Sequence, residues 1–126
     1  MVTAITKGIK ISVISKFEGF ARGNEKYVFS YKIHIENNSN EIVQLLRRHW
    51  FIYDSNGAKR EVEGEGVIGE QPILKPNEFH QYASWLPLMT EIGMMHGTFL
   101  MQRESDLSTF KVVVPEFQLI VPFKMN

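Results

Sequence analysis

Apolar and polar residues alternate with a period of two along most of this chain, and no window carries the apolar spacing of an amphipathic helix. The cleanest run sets Tyr27, Phe29, Tyr31, Ile33 and Ile35 on one face against Ser30, Lys32, His34 and Glu36 on the other. Successive strand side chains point to opposite faces, so this is a strand with one side in a core and one in solvent. Ile9, Ile11 and Val13 repeat the pattern, as do Met95, Gly97, Phe99 and Met101. Phe110, Val112 and Val114 run to Pro115, and Phe117, Leu119 and Val121 resume the same face. Proline has no N–H to give a ladder, so Pro115 marks a bulge or an edge. With turn signals at short intervals, the chain reads as all-β, a sandwich or barrel of roughly seven to eight strands.

Other stretches read less cleanly. Phe17 to Glu25 and Pro87 to Gly93 read as connections, and Phe79 to Leu86 as a weakly alternating strand. Between Ile42 and Asp54, strict alternation groups Val43, Leu45, Arg47, His49, Phe51 and Tyr53 on one face. It sets Leu46, Arg48, Trp50 and Ile52 on the other. The Asp54-Ser55-Asn56-Gly57 turn then returns the chain as a second strand over Lys59 to Glu63, since Asn-Gly suits a tight hairpin.

At 126 residues and 44% hydrophobic, the chain fits one domain, 1–126, with a core large enough to fold unaided. Fourteen basic residues balance fourteen acidic ones, so no global field draws the protein to nucleic acid or to an anionic membrane. There is no cysteine, which removes disulfides, thiolate metal sites and cysteine nucleophiles together. The first residues lack a secretory pattern and no segment approaches a membrane span, so a cytoplasmic location is expected. The Asn37-Asn38-Ser39 triplet matches a glycosylation acceptor only by chance on that reading.

Two regions carry residues that ask for a use. Gly64, Gly66 and Gly69 form a GxGxxG match, but Pro72 and the absence of a following helical period exclude a dinucleotide-binding turn. Glycine is first a conformational device, and a strained crossover between sheets explains all three. The other use is an anion site, with backbone N–H groups of the loop helped by Arg47 or Arg48. Arg48 is better suited to holding the loop by pairing with one of its glutamates, a role that needs no ligand. The second region, Trp85, Leu86, Leu88 and Met89, reads as an apolar patch for a protein partner or a homodimer. His34, His49, His80 and His96 fall on separate strands without short-range pairing, so no metal site and no cofactor is expected. No serine occupies a nucleophile elbow, and a non-enzymatic protein is expected.

Several of these stretches together resemble the ApaG family: Val28-Phe29-Ser30-Tyr31, Leu45 to Trp50 with its Arg48-His49-Trp50, and Val62 to Leu74 around the glycine loop. Tyr82-Ala83-Ser84, Met95-His96-Gly97 and Val114-Pro115-Glu116-Phe117 extend the likeness over nearly the whole chain. The sequence departs from the family pattern at Asn77 and Trp85, where glycine is usual, and at Glu91, where proline is common. The resemblance implies an immunoglobulin-like β-sandwich of the fibronectin type III kind. It also implies a binding role, a link to cobalt resistance and magnesium efflux, and a glycine loop that takes pyrophosphate or a nucleotide. The residues themselves leave two readings open: an anion-binding module, and a protein-interaction domain whose glycine loop is purely structural.

Overall fold

A computed structural model describes residues 1–122. Among them are nine strands and no α-helix: β1 Val2–Thr6, β2 Ile9–Ala21, β3 Lys26–Asn37, β4 Val43–Asp54, β5 Lys59–Glu65, β6 Ile73–Leu74, β7 Phe79–Leu88, β8 Ile92–Arg103 and β9 Thr109–Ile120. They form two antiparallel sheets, ordered β1-β2-β3-β7 and β5-β4-β8-β9, with the short β6 also paired to β4. The sheets face each other as a sandwich of the expected immunoglobulin-like kind. The core lies between them, because each strand turns one face of its alternation inward. Phe29, Tyr31, Ile33 and Ile35 of β3 meet Met95, Phe99 and Met101 of β8 and Val112, Val114, Phe117 and Leu119 of β9 there. Trp50 sits among these side chains with its ring edge-on to Tyr31, Phe99 and Phe117, at centroid distances of 5.6, 5.9 and 6.2 Å. Edge-on geometry suits the aromatic quadrupole and adds to the area buried.

Pro115 does lie at a bulge. Met95 pairs with Phe117 and Gly97 with Val114, so β9 carries one extra residue there and keeps its apolar face inward on both sides.

Three sequence readings need correction. The 17–25 stretch is mostly strand: β2 and β3 stay paired out to Ala21 and Lys26, with the register slipping one residue at Glu18. Pro87 lies within β7, which is the outermost strand of its sheet, so its missing N–H costs no ladder bond on the free side. The faces assigned to β4 are right only from Arg47 onward. Leu45 pairs with Met101 and Arg47 with Leu100, so Leu46 is a bulge that reverses the phase. Val43 and Leu45 therefore share the inner face with Arg48, Trp50 and Ile52. The β1 strand was not foreseen.

Two polar residues are buried at corners of the sandwich. Asn37 donates from Nδ2 to the carbonyls of Glu41 and Leu74 (2.8 and 2.9 Å), and its Oδ1 accepts from the Ser39 amide and hydroxyl (3.0 and 2.6 Å). Every hydrogen-bonding position of the side chain is used, so the sequon asparagine is a corner staple. Asp54 accepts from the Met89 and Thr90 amides and the Thr90 hydroxyl (3.0, 3.1 and 2.9 Å), tying the β4–β5 turn to the β7–β8 connection.

Candidate functional site

The bulge at Leu46 is where the site begins. It releases the Leu46 carbonyl from the ladder, and that oxygen accepts from the Gly66 N–H (2.8 Å) and from Gln71 Nε2 (3.0 Å). The chain after β5 is thereby drawn back over β4. It then reverses in a two-residue turn, with the Val67 and Glu70 amides each donating to the other's carbonyl (2.8 and 3.0 Å). The central residues Ile68 and Gly69 have φ of +49° and +73°, the pattern of a type I′ turn. Gly66 has no substitute: φ is +60°, and a Cβ on it would lie 2.1 Å from the Glu70 carbonyl oxygen. Gly64 leaves room for a guanidinium, since a Cβ there would come within 2.9 Å of Arg48 Nη1.

Arg48 does hold the loop, but not through a glutamate. Its Nη1 donates to the carbonyls of Glu65 (2.9 Å) and Gly66 (3.1 Å). Among the described residues the ion pairs are His49 with Glu61 and Glu63, His80 with Glu70, and Arg103 with Glu41, so no carboxylate neutralises Arg48. Arg47 goes elsewhere. Its side chain is on the outer face of the sheet with Thr98, Leu100 and Lys111, away from the loop interior. Of the loop amides, those of Gly66, Val67 and Glu70 donate within the protein.

Behind the loop the sandwich gapes. A cleft of about 310 Å³ opens between β5 and β7, the outermost strands of the two sheets. Its polar lining is Arg48, Arg60, Tyr31, Tyr82 and Ser84, and its apolar lining includes Trp50, Ile52, Val62, Ile68, Trp85 and Met95. One end is closed by the glycine turn, whose Glu70 reaches His80 of β7 at 3.6 Å. At the other, Arg60 of β5 donates to the Pro87 carbonyl of β7. Like Arg48, Arg60 has no carboxylate partner among the described residues.

The Tyr82 hydroxyl is buried and has no hydrogen-bond partner among the described residues. Burial pushes this phenol far above its usual range, the nearby Tyr31 phenol adds to the rise, and the Arg48 charge opposes it. Tyr31 is likewise raised by burial, with the Ser84 hydroxyl and Arg48 pulling back. Both phenols therefore stay protonated near neutral pH, beside the Arg48 guanidinium. Tyr82, Tyr31, Ser84 and Arg60 were not singled out from sequence as site residues. The alternation of Tyr82, Ser84 and Leu86 on one face of β7 was the available signal.

Trp85 and Met89 are at the surface, Trp85 with 64% of its area exposed, but Leu86 and Leu88 are core residues. The expected four-residue patch is thus split by strand alternation. Among the described residues, the three that could share a metal ion are His49, Glu61 and Glu63 on the outer face of β4 and β5. Here the imidazole already lies between the two carboxylates, Nε2 at 2.5 Å from Glu61 and Nδ1 at 3.6 Å from Glu63.

A two-sheet immunoglobulin-like sandwich, with a donor-lined cleft at one open side and a glycine turn across its end, defines the class. The family model for the ApaG domain matches residues 18–103. The ApaG protein of Anaeromyxobacter dehalogenans is 40% identical over 126 residues, covering all of both chains. That of Brucella canis is 43% identical over 124 residues, covering 97% of this chain and 95% of its own. Among solved structures, a Bordetella pertussis protein named ApaA superposes with a TM-score of 0.85 at 36% identity, covering 90% of this chain and 94% of its own. A structural-genomics crystal structure superposes at 0.88 with 38% identity, covering 95% and 92%. This chain belongs to the ApaG family.

Proposed function

We propose that this protein is a non-enzymatic binding module that takes an oxyanion, such as pyrophosphate, a nucleotide phosphate or a carboxylate, in the cleft between β5 and β7. The observation that carries this reading is the convergence of the unpartnered Tyr82 hydroxyl with the Arg48 guanidinium, which no carboxylate neutralises. A buried hydroxyl without a partner costs about 1–3 kcal/mol; the side chains that cover it move aside when an oxyanion enters to accept from it and from Arg48, and that contact removes the cost. The cleft offers donors and a charge. The side chains lining it include no carboxylate or imidazole to act as a general base, which favours binding over turnover. The glycine loop serves by fixing the Arg48 guanidinium through the Glu65 and Gly66 carbonyls rather than by wrapping the anion. The family link to cobalt and magnesium enters through the ligand, because phosphates travel as their divalent-metal complexes.

Thermal shift with pyrophosphate and nucleotides, with and without magnesium or cobalt, tests this reading. At ~100 times the dissociation constant a ligand stabilises the fold by about 2.7 kcal/mol. The shift is expected in the wild type and is lost in Tyr82→Phe, which removes one hydroxyl and nothing that holds the loop. No shift at millimolar anion sinks the reading. The exposed Trp85 at the cleft rim favours a second one, a protein-interaction domain, and partner binding that survives Tyr82→Phe supports it instead.

A further inference from the structure

We infer that the cleft captures the C-terminal carboxylate of an extended peptide, the peptide lying along the lips formed by β5 and β7. This rests on the oxyanion reading above and names what bears the oxyanion. Four features converge on it.

The first is the chemistry of the lining. Its polar side chains are guanidinium, phenol and hydroxyl, and none is a carboxylate, carboxamide or imidazole. The two guanidiniums are donor-only and no lining side chain is acceptor-only, so the cleft favours an acceptor. The second is the lips themselves. β5 and β7 are each the outermost strand of a sheet, so each presents main-chain N–H and C=O groups on its free side, except at Pro87, which has no N–H and whose carbonyl accepts from Arg60. Such groups recognise another polypeptide by strand addition, and a compact phosphate leaves them unused. From Arg60 to Gly64 the lip runs about 13 Å at ~3.3 Å per residue, enough for about four peptide residues.

The third feature is direction. The glycine turn crosses toward β7 through the Glu70–His80 pair and blocks the end where Arg48 and Tyr82 lie. A chain following the lips stops there, so the carboxylate that reaches Arg48 is a chain terminus and not an acidic side chain in mid-peptide. The fourth is the apolar rim. Ile68, Val62 and Trp85 line the cleft, yet all three count as exposed, Ile68 with 60% of its area. Ile68 moreover stands at φ +49°, a conformation that a β-branched residue rarely adopts and that Asn or Gly would fill better. Strain kept at an exposed apolar residue beside a cleft fits a contact surface for the last side chain of the peptide.

The test uses two pools of N-acetylated tetrapeptides, randomised at the last two positions and identical except that one ends in a free acid and the other in an amide. Both are passed over the immobilised full-length protein, with pyrophosphate as competitor. The free-acid pool should be retained at least about tenfold better than the amide pool, the loss expected for charge-assisted hydrogen bonds. Retained peptides should be enriched in apolar final residues and displaced by pyrophosphate, and Tyr82→Phe should narrow the difference between the pools. Equal retention of acid and amide overturns the inference. So does a free-acid pool that is not retained while pyrophosphate still stabilises the wild type and not Tyr82→Phe; the oxyanion reading alone then stands. If neither peptides nor pyrophosphate bind, both fall.

Discussion

Tyr82 is the residue at which stability and binding pull apart. Its hydroxyl is sealed from water without a partner, so the folded protein bears a desolvation cost that phenylalanine would not. Tyr82→Phe is expected to raise the unfolding free energy of the unliganded protein by about 1 kcal/mol, read from urea denaturation, while erasing the thermal response to pyrophosphate. Destabilisation of the free protein would mean that the hydroxyl is satisfied in solution. Ile68 makes the same point through the backbone. Placing Asn in its left-handed position should relieve about 1–2 kcal/mol of strain. Ile68→Asn is therefore expected to melt higher than the wild type yet retain fewer free-acid peptides. A variant that melts lower would show that the exposed isoleucine packs more than its surface suggests. Asn77, in left-handed backbone at φ +71°, shows the tolerated form of such a position.

At the scale of the element, the glycine loop and the bulge in β4 are one device. The bulge frees the Leu46 carbonyl, Gly66 docks on it, and Arg48 clamps the carbonyls of Glu65 and Gly66. A Cβ at position 66 meets the Glu70 carbonyl and also demands left-handed backbone, so Gly66→Ala should cost about 2–5 kcal/mol in chemical denaturation. A loss under about 0.5 kcal/mol would mean the turn re-forms in another geometry. The strands themselves were legible because alternation is a local signal; β3 and β9 face inward along the residues their periods mark. The phase of β4 was not. Nothing in Leu45-Leu46-Arg47 announces a bulge, whose place is set by a loop twenty residues later in the chain. The Trp85–Met89 stretch failed for a related reason: Pro87 reads as a strand breaker until β7 is known to be outermost in its sheet. Of the candidate site, sequence supplied Arg48 and the three glycines. The cleft brings together side chains from β3, β4, β5 and β7, and such a convergence exists only in the tertiary structure.

For the molecule as a whole, the open side of the sandwich sets how stability responds to pH. Along β5, Lys59 to Glu63 are all exposed, so this strand covers no core and the cleft behind it is closed mainly by side chains. Two phenols are held there above the ordinary tyrosine value of 10.0, chiefly by burial. In the unfolded chain both ionise as pH passes that value, while the native state still binds their protons. Above about pH 10 the unfolded state therefore carries fewer protons, and stability falls as pH rises. Below that value both states are protonated, and the contribution is fully present. Each tyrosine adds a slope of up to about 1.4 kcal/mol per pH unit, so the pair should make alkaline unfolding steep. Urea titrations at stepped pH from about 9 to 11 should show this loss, and Tyr82→Phe should make it shallower, because one of the two titrating groups is gone. An identical slope in the variant would mean that solvent reaches Tyr82 through the gap between β5 and β7. That gap would then be too wet to strengthen the hydrogen bonds on which capture of an oxyanion depends.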